Sequence, residues 1–235
     1  MREIRKRDAT VRALVRGKDR PAPAPGGVEL VEGDLRDPIS IEKALDGIDK
    51  LCLLKAVVPD KLTRDRIAYG LANKRKMRQI MYHSVFKVDD FKDVSHCASK
   101  FAIESALREF DSAFHDQPPN YFFQNNGSLK EPLTEAGIYP MPVGLRGISV
   151  VDIRDIAESA AIALTSDGRL GKTYNRNGPN VLGGPGIAEI WSGILVAESD
   201  DIEIVTKLPG HKPGGYAGFA QKTAQSWQGA LRNAA

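Results

Sequence analysis

VRALVR, residues 11–16, and GVELVEGDLRDPISIEKALDGIDKLCLL, residues 27–54, read as strand, loop, strand, helix and strand. In the first stretch Val11, Ala13 and Val15 alternate with outward neighbours, the period-two pattern of a strand over residues 10–16. PAPAPGG, residues 21–27, makes a loop, and Val28–Glu32 is a second strand closed by Gly33 and Asp34. Pro38 opens a helix, because its missing N–H would have no partner in the first turn anyway; Gly47 stops that helix after Leu45. Lys50–Leu54 is a short apolar run, read as a buried strand. Strands joined through helices call for crossover connections and therefore a parallel sheet.

The alternation continues along the chain. A helix is expected over residues 60–72 with Leu62, Ile67 and Leu71 inward, then a strand over 79–85. Ser95 is placed to cap the next helix, whose apolar stripe includes Ile103, Leu107 and Phe110. A strand over 147–151 leads to Asp152, the N-cap of a helix that buries Ile153, Ile156, Ala157, Ala160 and Leu164. A strand over 172–175 and a helix over 186–196 follow, while the Gly/Pro-rich stretches 178–186 and 209–218 are loops. The fold class is α/β, a doubly wound parallel sheet.

With 235 residues, 42% hydrophobic and 27% charged, the chain is neither disordered nor collagen nor coiled coil. No apolar run approaches the ~20 residues that span a bilayer, and MREIRKRD has no apolar core of a signal peptide. Two cysteines, Cys52 and Cys97, are too few for a disulfide framework, so a cytoplasmic location is expected. Of the net +3, residues 1–20 hold eight Lys/Arg against three Asp/Glu, and a second cluster spans Lys74 to Arg78. No aromatic residues interleave these charges, so they read as solvated surface, with neither a nucleic-acid nor a membrane partner expected.

In a parallel α/β sheet the ligand crevice lies at the carboxyl ends of the strands, beside helix N-termini. The first predicted strand ends in Arg16; a basic residue at the end of a dinucleotide fold's second strand accommodates the 2′-phosphate of NADP. His96, Lys100, Ile103, Leu107 and Phe110 fall within about 80° of one another on a helix. His96 and Lys100 thus extend the core-facing stripe onto the first turns. There a histidine could exchange a proton near neutral pH, and a lysine could hold ribose hydroxyls. Ser84, twelve residues before His96, could bring a hydroxyl to the same crevice. The bland alternative is a helix-entry histidine and a snorkelling lysine. His83, His96, Cys97 and His115 lack metal-ligand spacing, so no metal is expected. GHKPGG, residues 210–215, is followed by Tyr216 and Ala217, not the Lys-Ser/Thr of a phosphate loop.

VRALVR and GVELVEGDLRDPISIEKALDGIDKLCLL resemble the second and third strands of NmrA-like proteins, an atypical short-chain dehydrogenase/reductase group. PNYFFQN at 119–125 resembles their nicotinamide-side loop. GISVVDIRDIAESAAIALT at 147–165 and GKTYNRNGPNVLGGPGIAEIW at 171–191 resemble their C-terminal half. The resemblance implies a Rossmann-like fold and NAD(P) binding, NADP(H) preferred over NAD(H), by a reductase of small organic molecules or by a redox-sensing regulator without turnover. It implies cofactor contacts from Arg16, from Asp34 and Leu35 at the adenine side, from Leu54 and Lys55, from Lys100, and from Asn120, Tyr121 and Phe122 at the nicotinamide side. It puts His96 where typical members of the wider group have a tyrosine, giving His96, Lys100 and Ser84 as the catalytic set. Residues 1–125 form the NAD(P)-binding region and 126–235 a substrate-side region. A small-molecule substrate or a regulatory protein is the expected partner, with assembly into a homo-oligomer left open.

Three departures from the family pattern shape the expectations. Only nine residues precede Thr10, and none is glycine, so the usual first strand and glycine-rich turn are expected to be lacking and cofactor binding impaired. AFHDQPP, residues 113–119, stands where the family has a strand, but its two prolines suit a loop. The segment between the Trp191 helix and the tail is short. An incomplete or decayed gene product is one reading of these features.

Overall fold

The first two predicted strands form as read: β1 (Val11–Val15) pairs in parallel with β2 (Val28–Glu32), Val11 beside Val28 through Val15 beside Glu32. The protein is described by a computed structural model over residues 1–17, 24–54, 58–109, 114–116, 119, 121–141, 143–144, 147–168, 170–175, 177–195 and 215–232. The chain divides into two compact units, Met1–Pro119 with Ala157–Asn175, and Asn120–Ile156 with Arg176–Ala235.

The first unit opens on a short helix, α1 (Arg2–Arg5), before β1. Asp37 caps α2 (Pro38–Ala44), its carboxylate accepting from the N–H of Ile39 at 3.0 Å. A second sheet has the order β3 (Lys50–Leu53), β4 (Gln79–Tyr82), β5 (Phe114–Asp116), all parallel. Between them run α3 (Lys61–Lys74) and α4 (Ser95–Glu109), where Ser95 is the first helical residue instead of the cap. Ile41 of α2, Ala68 and Ala72 of α3, Ile80 of β4, and Ile103 and Leu107 of α4 share one core. On β4 all four residues are buried. Met81 packs with Ala160 and Leu164 of α6 (Ile153–Thr165) and with Ile4. The Gln79 amide donates to the Ala163 carbonyl at 3.0 Å.

Several expectations are corrected here. Residues 113–119 are not all loop, because Phe114–Asp116 pair with Ile80–Tyr82. The prolines follow this short edge strand and remove no ladder bond from it. Lys50–Leu54 is not a buried run: only Leu53 is buried, Cys52 is exposed and Leu54 is 65% exposed. Among the described residues β3 pairs only with β4, and β1, half-exposed throughout, only with β2. The strand expected over 79–85 stops at Tyr82. On α3 Ile67 and Leu71 pack half-buried against the core as expected, Leu62 is exposed, and besides Tyr69 the buried residues are Lys61, Asp65, Ala68 and Ala72. These four follow a 4-3-4 spacing on one face, and the two alanines let α3 approach its neighbours closely. Ile153 and Ala157 of α6 are likewise exposed, while Ile156, Ala160 and Leu164 are buried as read. Residues 172–175 form no strand beyond a single bridge at Thr173. Phe110 lies outside the described residues.

The second unit holds a three-stranded mixed sheet. β6 (Tyr121–Phe122) is parallel to β7 (Ile148–Val151), which is antiparallel to β8 (Val181–Leu182). β8 and the start of α7 (Gly184–Leu195) occupy residues 178–186, read as loop. α8 (Tyr216–Arg232) likewise begins inside the expected 209–218 loop; residues 209–214 lie outside the described residues. A short helix, α5 (Lys130–Glu135), adds Leu133 to a core of Phe123, Ile187, Trp191, Tyr216 and Phe219. The Trp191 indole N–H donates to the Tyr216 hydroxyl at 2.7 Å, which satisfies the one polar atom of the largest buried side chain. Gly147 has φ +76°, and a Cβ there would stand 2.6 Å from the Leu182 backbone, so β8 can approach β7 only past a glycine.

The helical phases are open to test. Ile103→Ala, at a fully buried site, should cost about 2–5 kcal/mol in urea unfolding. Leu62→Ala should cost no more than about 0.5 kcal/mol. Equal losses would show that α3 is rotated relative to this description.

Candidate functional site

At the carboxyl end of β4 the chain leaves the sheet through His83 and Ser84, both buried, and α4 returns across that end. Lys100, one turn into α4, is 4% exposed. Its ammonium donates to the His83 carbonyl and lies 4.5 Å from the centre of the Tyr82 ring. The Tyr82 hydroxyl in turn stands 3.4 Å from a carboxylate oxygen of buried Asp65. Ser84 donates its hydroxyl proton to Glu104, whose other oxygen accepts from Arg108 at 2.6 Å. His96, in the first turn of α4, is half-buried, with Nδ1 3.4 Å from the ammonium of Lys61. Burial, then the charges of Lys61 and Lys100, hold the His96 imidazole below its ordinary 6.5, so it is neutral at neutral pH. Burial pushes the neighbouring Cys97 thiol up.

The proposed catalytic set lies about one strand end, but the Lys100 ammonium, the Ser84 hydroxyl and Nδ1 of His96 are engaged inside the protein. Lys100 does not extend into open solvent, and Ser84 is bound to Glu104. Lys61 and Glu104, which contact His96 and Ser84, and Asp65, which contacts Tyr82, belong to no motif in the sequence. Their signal is weak: Lys61 and Asp65 share a face with Ala68 and Ala72, and alanines mark a buried stripe less visibly than leucines.

The ends of β1 and β2 lie at the same edge of their own sheet, because the two strands are parallel. Gly33 N–H donates to the Val15 carbonyl at 2.9 Å. Beyond β1, Arg16 is exposed and makes no hydrogen bond or ion pair among the described residues. Asp34 is turned back on itself: its carboxylate takes the Arg36 guanidinium at 2.6 Å and the Arg36 N–H at 2.8 Å. These bonds hold its carboxyl down at about 2. Leu35 is half-buried against the core of its unit, and Leu54 is exposed past β3. Lys55 and Asn120 lie outside the described residues.

In the second unit Tyr121 and Phe122 form β6 and are half-buried; burial pushes the Tyr121 phenol up. Asp152 caps α6, accepting from the Arg154 N–H at 2.8 Å and from the Gln124 amide at 2.9 Å. An open hollow of about 270 Å³ there is lined by Gln124, Arg154, Phe219, Lys222, Thr223 and Ser226. Among the described residues no cluster of three His, Cys, Asp or Glu could hold a metal, and no helix is long and apolar enough to cross a membrane.

Parallel strands with helices between them, polar residues at the strand ends and no metal cluster define a fold, not yet a family. The model of the NmrA-like family matches residues 1–198. The chain belongs to the NmrA-like family. An NAD(P)H azoreductase of Xenophilus azovorans is 28% identical over 166 residues, which are 71% of this chain and 58% of that protein. This NmrA-like chain spans about three fifths of the length of the curated relatives it matches. Among solved structures, the triphenylmethane reductase of Citrobacter sp. superposes with a TM-score of 0.73 at 22% identity, covering 82% of this chain and 69% of that one. The NADPH-dependent quinone oxidoreductase of Escherichia coli, complexed with NADPH, gives 0.71 at 20% identity over 82% and 69%. The Rossmann-like fold of NAD(P)-binding reductases is thereby shown for this NmrA-like protein.

The Asp34 turn gives a measurable pH signature. In a carbon-detected NMR titration the Asp34 carboxyl should have a midpoint of about 2, rising towards 3.8 in Arg36→Ala. The folded value lies below the unfolded one, so the Arg36 contact favours the folded state above about pH 4 and loses that effect as pH falls to about 2. A midpoint near 3.8 in the unmodified protein would remove the ion pair.

Proposed function

We propose that this NmrA-like protein derives from an NADPH-dependent reductase of a small organic, quinone-like or apolar substrate. Residues 1–125 form the cofactor side and 126–235 the substrate side. The observation that carries the reading is Arg16. An exposed guanidinium with no partner among the described residues, just past β1, suits the 2′-phosphate of NADP, since a guanidinium and a phosphate match in a two-point, charge-assisted pair. The relatives' names, an NAD(P)H azoreductase and an NADPH-dependent quinone oxidoreductase, support the same chemistry.

A bound nicotinamide supplies a hydride. In this reading Lys100 contributes positive charge at the end of β4, His96 gives a hydrogen bond or a proton to the atom that hydride addition makes negative, and Ser84 lies beside them. The family resemblance assigns Asp34, Leu35, Leu54 and Lys55 to the adenine side, and Asn120, Tyr121 and Phe122 to the nicotinamide side.

Cofactor binding by the 235 residues themselves is proposed to be weak. They contain no G-x-x-G-x-x-G turn, whose backbone N–H groups would cradle the pyrophosphate. Several missing charge-assisted bonds at about 1.5–3 kcal/mol each take affinity out of the micromolar range. A second reading, an NADP sensor or regulatory protein without turnover, is favoured by the internal engagement of Ser84 and Lys100.

Calorimetry with NADPH on the 235-residue chain should show no binding at micromolar concentration; micromolar binding would show that the phosphates have another seat. In NMR titrations at millimolar concentration NADPH should bind at least about tenfold tighter than NADH. Arg16→Ala should erase that difference, and an unchanged ratio would return Arg16 to the plain surface. Consumption of NADPH with a quinone or an azo dye supports the reductase reading. Saturable binding without consumption supports the sensor.

A further inference from the structure

Lys61 is the first residue of α3, yet it is only 3% exposed, a rare state for a lysine. Its ammonium stands 3.4 Å from Nδ1 of His96, which comes from a different helix thirty-five positions along the chain. An ammonium carries donors only, so it can meet a ring nitrogen solely by donating to it. The nitrogen that receives must be unprotonated, and the single ring proton of a neutral imidazole is then on Nε2.

We propose that Lys61 is a positioning residue that donates to Nδ1 of His96, fixes the Nε2–H tautomer and turns that N–H into a dedicated hydrogen-bond donor. This role rests on the reading of His96 as a site residue and sharpens it. A neutral imidazole polarises a carbonyl, quinone or azo group through its N–H and keeps the proton; no proton transfer from His96 is required. A second cation supports the same state, since Lys100 lies one turn further on the same face of α4. Among the described residues the ionisable neighbours of the pair include Asp60 and Asp65, on either side of Lys61 along the chain, and Cys97, beside His96, with Asp93 acting on that thiol. With two lysines facing it, protonation of His96 would place a third positive charge at this end of the helix. Lys61 therefore selects both the charge and the orientation of the ring.

The test is spectroscopic and needs neither cofactor nor turnover. In the full chain labelled with ¹⁵N-histidine, long-range ¹H–¹⁵N correlations at pH 7.5 should show His96 as the Nε2–H tautomer, assigned by its loss in His96→Gln. Its titration midpoint should fall below 6.5. Lys61→Met should shift the midpoint up towards 6.5 and mix the tautomers, and Lys61→Arg should keep the Nε2–H form. An Nδ1–H tautomer or an imidazolium in the unmodified protein at pH 7.5 overturns the proposal, as does a folded Lys61→Met protein with an unchanged His96 spectrum. If Lys61→Met does not fold, the unmodified spectrum alone decides. The Nε2–H tautomer together with saturable NADPH binding at millimolar concentration but no consumption overturns the reductase reading and leaves the role of Lys61 standing. Consumption with the Nδ1–H tautomer does the reverse.

Discussion

A charged amino group buried at the end of β4 is the constraint around which the first unit is arranged. Taking an ammonium out of water costs several kcal/mol unless partners replace the lost hydration. Lys100 has the His83 carbonyl and the face of Tyr82. Those partners require β4 to stop at Tyr82, so that the next carbonyl is free of the sheet ladder and turned towards α4. They also require α4 to cross that strand end closely. Small or apolar residues on the same helix, Cys97, Ile103 and Leu107, make that approach possible.

The same strand end collects a second set of paired polar groups, Ser84 with Glu104 and Glu104 with Arg108. Buried polar groups of this kind are stable when every member is satisfied, and they then hold side chains in one geometry. The strand end thus holds buried, hydrogen-bonded cations and carboxylates, with the half-buried imidazole of His96 at its border. A reductase could use such a site to polarise an acceptor, and a sensor could use it to register one. Arg16 is different in kind, an exposed cation whose function depends on what binds to it.

The elements β1, β2 and α2 were legible because each has a strong local cause. Alternating Val11, Ala13 and Val15 can bury one face only as a strand, and Asp37-Pro38 can begin a helix with its cap already in place. Helix α3 shows the limit. Leu62 is the more apolar residue, but the packed face passes through Lys61, Asp65, Ala68 and Ala72. Hydropathy ranks residues one at a time, while packing selects the face that lets two helices come together. The short β5 was hidden for a related reason. Phe114–Asp116 have little strand character of their own and are held by the ladder to β4.

What the sequence determined by itself is the α/β alternation, the parallel pairing it requires, and the placing of Ser84, His96, Lys100 and Arg16 near strand ends. These follow from local periodicity and capping, which act over a few residues. Only the tertiary structure decided what those side chains touch. The Lys61 contact to His96, the Lys100 contact to His83 and the Ser84 contact to Glu104 join residues from seventeen to thirty-five positions apart. Such contacts exist because separate elements are packed at ångström separation, and burial, with the charges of Lys61 and Lys100, then weakens the hold of His96 on a proton. No short-range pattern carries that information, because the energy of a buried charge depends on neighbours that the chain brings in from elsewhere.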